Sequence, residues 1–135
     1  MKKRINDKIR EIEGFLDGLS EILPMDLKDY ASDSKTKAAC ERYFEKIVEA
    51  TVDLAFLMIK FKEFEIPEGD KETFDMLAKK NVITIVLAEK LKDAKSMRNI
   101  LAHEYGTIDD ELVFYSLTEE IEKDVREFIK AVKRS

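Results

Sequence analysis

The sequence predicts an all-α protein, and three observations predict it. Apolar residues recur at alternating spacings of three and four along most of the chain, the period of a helix with one buried face. Composition agrees: 44% of residues are hydrophobic and 39% charged, while the 135 residues include only 4 Gly and 2 Pro, too few turn formers for a chain of many short strands. Short polar residues able to cap a helix also stand just ahead of several periodic segments. The length suits one hydrophobic core, so residues 1–135 are read as a single domain.

Ile5, Ile9, Ile12, Leu16, Leu19 and Leu23 form one stripe that Pro24 closes, giving a first helix to about Ile22. Leu27 and Tyr30 suggest a short helical turn, after which Asp33 or Ser34 can cap the longest helix. There Cys40, Phe44, Ile47, Thr51, Leu54, Met58 and Phe61 make one line, with Tyr43, Ala50, Leu57 and Phe64 beside it, a stripe wide enough for several neighbours. Pro67 to Asp70 break the pattern, and a short helix carrying Phe74 and Leu77 leads to Asn81. Thr84 can cap the next helix, whose seam runs Leu87, Leu91, Ala94, Arg98, Leu101, Tyr105 and which Gly106 is placed to stop. Asp109 then caps a last helix through Phe114, Leu117, Ile121, Val125, Phe128 and Val132. The expectation is an antiparallel bundle of four to five main helices.

Several function classes are set aside at this level. No apolar run approaches the roughly 20 residues of a membrane span, and the charged start lacks an apolar leader core, so a cytoplasmic protein with no membrane partner is expected. One cysteine, Cys40, and one histidine provide neither an internal disulfide nor a zinc ligand set, and no metal or cofactor is expected. A net charge of -5 argues against a broad basic face coating nucleic acid. The charge is uneven, however: from Lys79 to Arg98 six cations face two carboxylates, +4 locally and -9 elsewhere, which leaves room for a local anion site.

The chemistry concentrates in Arg98 to Tyr105, RNILAHEY, where Arg98 interrupts an apolar seam. Arginine offers a permanently charged planar fork to phosphate oxygens, and histidine exchanges a proton near neutral pH. Together they suit phosphodiester cleavage of RNA, which carries its own nucleophile in the 2′-hydroxyl and needs only a base or acid and a fixed cation. Asn99 can tether Arg98 or a phosphate oxygen, and Tyr105 sets a phenol beside the same cleft. At about 100° per residue, Arg98 and Tyr105 nearly coincide in direction while His103 points about 140° from Arg98. Either the helix ends near Ala102 and the chain bends His103 back, or His103 of one subunit meets Arg98 of another across a two-fold axis. Taken singly, each residue has a plainer reading: His103 a solvated helix end, Arg98 a surface ion pair with Asp93 or Glu104, Tyr105 core packing, and the lysine-rich run a solvated face.

The order R-N-x-L-A-H-x-Y from Arg98 to Tyr105 resembles the Arg-x4-His-x-Tyr motif of the HepT-like proteins, a branch of the HEPN superfamily of helical bundles. The likeness extends to Glu41 and Arg42 opening a long amphipathic helix, to the stretch from Phe74 to Ile83, and to a C-terminal helix after Ile108 and Asp109. It implies a dimerising bundle and a metal-independent endoribonuclease toxin of a toxin–antitoxin pair, with catalytic Arg98 and His103 of both subunits lining one cleft and Asn99 at the polar position after the arginine. It also implies a minimal nucleotidyltransferase partner of the MntA type that silences the toxin by attaching AMP to Tyr105. The acidic total admits a second reading, a non-catalytic subunit that docks the nucleotidyltransferase.

Overall fold

A computed structural model of the chain describes residues 1–103 and 109–135. Its helices are α1 (Lys2–Ile22), α2 (Leu27–Ser32), α3 (Ser34–Phe61), α4 (Asp70–Lys79), α5 (Ile85–His103), α6 (Asp110–Tyr115) and α7 (Ile121–Arg134), and no strand occurs among the described residues. The expected caps are in place. Asp33 accepts from the amides of Lys35 and Thr36, Thr84 Oγ1 from Leu87 and Asp109 from Glu111 and Leu112, each satisfying N–H groups of the first helical turn that have no partner within the helix.

The long α3 is the centre of the bundle and packs against α1, α2, α4, α5 and α7. Its wide apolar stripe explains this: Cys40, Phe44, Ile47, Ala50, Leu54, Ala55, Met58 and Ile59 are all buried. The helices run antiparallel, as the pairs joining them show: Lys8 of α1 reaches Asp53 of α3, whereas Gly18 lies against Tyr43. A Cβ on Gly18 would come within 2.6 Å of the Tyr43 hydroxyl, so the bare backbone there admits the ring. Lys92 and Lys95 of α5 bind Asp75 and Asp70 of α4 at 3.0 and 3.1 Å. These two lysines are therefore not part of a solvated face, as the sequence suggested. They staple the motif helix to its neighbour.

One element differs from expectation. The last helix is not continuous: Ser116 to Glu120 form a π turn between α6 and α7, closed by the Ile121 amide donating to the Ser116 carbonyl. The reason lies in the apolar positions. Val113, Leu117, Ile121 and Val125 are all buried at successive spacings of four, a set that drifts about 120° around a straight α-helix. The wider turn absorbs that drift and keeps the four on one face. Ser116 donates to Glu120 at 2.8 Å and Thr118 to the Phe114 carbonyl at 2.9 Å within it.

Candidate active site

The motif helix α5 is held by three buried anchors, Leu87, Ala88 and Leu91, with Ala94, Met97 and Leu101 packed against the same core. Its C-terminal turns carry the candidate residues. Arg98 lies on the seam, its side chain only 22% exposed, and its guanidinium is ion-paired with Glu49 of α3. The expected pairing with Asp93 is not found; Asp93 lines a hollow with Lys90 and Asp124 one turn away. Glu104 lies outside the described residues. Arg98 is thus tethered inward to the central helix. Its Nε, on the same edge of the guanidinium as the Nη2 that meets Glu49, is buried and finds no hydrogen-bond partner among the described residues.

His103 is exposed, and α5 remains helical through it, so the chain does not bend back at Ala102. Along a continuous helix the five residues from Arg98 to His103 turn the chain about 140°. One copy of α5 does not bring the two side chains together. Asn99 is half-buried beside Arg98 and makes no side-chain hydrogen bond among the described residues. Tyr105 and Gly106 fall outside the described residues, so the seam is traced only as far as Leu101.

Glu49 is the residue that sequence reasoning missed. It lies 49 positions from Arg98 and is joined to it only by the packing of α3 on α5. Its one sequence signal is a carboxylate line at spacings of four, Glu41, Glu45 and Glu49, on the polar border of the α3 stripe. Burial raises the Glu41 carboxyl above the usual glutamate value, with Asp110 and Glu45 adding to the shift and Lys37 opposing it. Among the buried nucleophiles, the Cys40 thiol is fully enclosed and pushed up to about 11 by desolvation, which makes it a poor nucleophile.

Comparison with known proteins gives this site a context. The family model described as Ribonuclease HepT-like matches residues 5–132. This chain belongs to the HepT-like family. The HepT-like chain is 29% identical over 89 residues to the mRNA nuclease HepT of Shewanella oneidensis, a match covering 66% of each protein. It is 27% identical over 114 residues to the tRNA nuclease HepT of Aphanizomenon flos-aquae, covering 84% of this chain and 78% of that one. In structure it superposes on the tri-AMPylated HEPN toxin of Shewanella oneidensis, solved in complex with MNT antitoxin, with a TM-score of 0.92 and 24% identity over 100% of both chains. The all-helical HEPN fold expected from the sequence is the fold observed.

Proposed function

We propose that this HepT-like chain is a cytoplasmic, metal-independent endoribonuclease toxin, a single domain over 1–135 that acts as a homodimer. The observation that carries the reading is the guanidinium of Arg98, held by Glu49 on the motif helix five residues before the exposed His103. Arg98 neutralises the charge that develops on the scissile phosphate, and Asn99 assists at a phosphate oxygen. His103 exchanges the proton of the 2′-hydroxyl or of the leaving 5′-oxygen. Because α5 points Arg98 and His103 apart, the pair is completed between subunits, Arg98 of one with His103 of the other. The names of the relatives support the chemistry, one an mRNA nuclease and one a tRNA nuclease.

Purified protein free of any partner is expected to cleave total RNA with chelator present. The substitutions His103→Ala and Arg98→Ala should each lower the rate by about 100-fold or more while the circular dichroism stays that of the wild type. Cleavage that survives both changes sinks the proposal.

The partner in this reading is a minimal nucleotidyltransferase, in keeping with the AMPylated toxin and MNT antitoxin of the structural relative. AMP attached to Tyr105 puts negative charge and bulk where RNA phosphate binds. Incubation with that enzyme and ATP should add AMP mass to the wild type and none at position 105 in Tyr105→Phe; equal labelling of both would remove Tyr105 from the scheme. The acidic net charge supports the second reading, a docking subunit without catalysis, and the partner-free assay separates the two.

A further inference from the structure

Once Lys92, Lys95 and Arg98 are paired with Asp75, Asp70 and Glu49, the positive charge of the stretch from Lys79 to Arg98 is concentrated elsewhere. It collects at the end of the bundle remote from His103. There an open groove of about 790 Å³ lies between the turn preceding α5, the first turns of α5 and the last turns of α7. Lys90, Lys130 and Arg134 line it, with Glu127 as the carboxylate among them. Lys130 and Arg134 are exposed and form no ion pair among the described residues, while Lys90 is held in a long ion pair with Asp124 at 3.9 Å. Lys79 and Lys80, exposed and likewise without an ion pair among the described residues, immediately precede the lining residue Asn81. Ile85 and Val86, 73% and 65% exposed, form an apolar shelf at its edge. On a molecule of net charge -5, this is a cationic groove against an acidic background.

We propose that this groove is an RNA-backbone docking site, separate from the cleavage residues, in which Lys90, Lys130 and Arg134 engage phosphates of the strand whose cleavage Arg98 and His103 perform. The inference rests on the nuclease reading and adds to it where the rest of the strand is held. The charge favours a polyanion over a protein face, since cations that neutralise its phosphates release the counterions condensed along the strand. The shelf of Ile85 and Val86 offers apolar surface to the face of a base. A neighbouring acidic hollow of Asp93, Glu120 and Asp124 shares Lys90 with the groove. Lys90 and Ile85 precede Arg98 by 8 and 13 residues on α5, about 12 to 20 Å along the axis. A single strand crosses that distance in about four to six nucleotides at roughly 3.4 Å each. The groove therefore acts on long RNA and not on the shortest substrates.

The test uses the full-length chain carrying His103→Ala, so that RNA is bound without being cut, and a labelled single-stranded RNA of about 20 nucleotides. In this background Lys130→Ala with Arg134→Ala should weaken binding roughly tenfold and lower the slope of log affinity against log salt by about 1.4, some 0.7 per lost phosphate contact. Lys28→Ala with Lys35→Ala, which removes the same charge from exposed residues outside the groove, should leave the slope unchanged. With His103 restored, the groove variant should cleave a trinucleotide at the wild-type rate and raise KM on the 20-mer alone. An unchanged slope, an equal loss in the control pair, no RNA binding at all, or a defect confined to docking of the nucleotidyltransferase overturns the groove. A wild-type chain that binds with the predicted slope but cuts no RNA overturns the nuclease reading and leaves the groove standing.

Discussion

Arg98 is held under restraint. A guanidinium on a flexible side chain loses conformational freedom each time it meets a phosphate, and in the proposed mechanism pairing with Glu49 removes part of that cost before RNA arrives. In that proposed site the same carboxylate carries a negative charge beside the phosphate, so it trades some affinity for orientation. Glu49→Gln should therefore lower kcat about tenfold without raising KM for RNA, a split that steady-state kinetics reads directly. An unchanged kcat would show that the pair only closes the α3–α5 interface. Nothing in the linear sequence linked these two residues, because their contact spans 49 positions and depends on which faces of two helices meet. The chemistry proposed for Arg98 and His103 was inferred from residue type and spacing alone, since it depends on charge and proton exchange.

At the scale of the element, the start signals were readable and the ends less so. Asp33, Thr84 and Asp109 cap as their positions suggested, because a side-chain oxygen one residue ahead of a helix has N–H groups within reach whatever the tertiary fold. Helices α3 and α4 end differently. The Phe64 amide donates back to Ile59 and the Val82 amide to Leu77, with Glu63 and Asn81 held at φ of 57° and 62° in the left-handed region. Asparagine tolerates that conformation and glutamate does so poorly. Glu63→Gly should accordingly raise stability by about 1 kcal/mol, measured as a shift of the urea midpoint at constant m-value. A loss of stability would mean that the greater freedom of glycine in the unfolded chain outweighs the relieved strain. The π turn before α7 was not read from the sequence, where a stripe begun at Phe114 with spacings of three, four and four suits a straight helix. Burial of Val113, Leu117, Ile121 and Val125 together decides between them.

For the molecule as a whole, the decisive property is that α5 stays helical to His103 and so points its two catalytic candidates apart. If Arg98 of one subunit works with His103 of the other, mixing Arg98→Ala protein with His103→Ala protein restores activity. Half the dimers are then mixed, and each mixed dimer holds one intact site of two, so the recovered rate should be about a quarter of the wild-type rate. Unfolding and refolding the two variants together, followed by an RNA cleavage assay, measures this. No recovery in a refolded mixture would mean that each site draws both residues from one chain.

The sequence by itself determined that the protein is helical, where most helices begin and which stripes are buried, and it singled out the short segment proposed to bear the chemistry. These are local properties, set by periodicity, capping and side-chain type over a few residues. Only the tertiary structure decided that Arg98 is held by Glu49, that Lys92 and Lys95 are spent on α4, and that the remaining cations gather in a groove at one end of the bundle. The physical reason is the range of the interactions. Caps and stripes act over one or two turns, whereas an ion pair or a charged groove joins residues that meet only because two helical faces pack together.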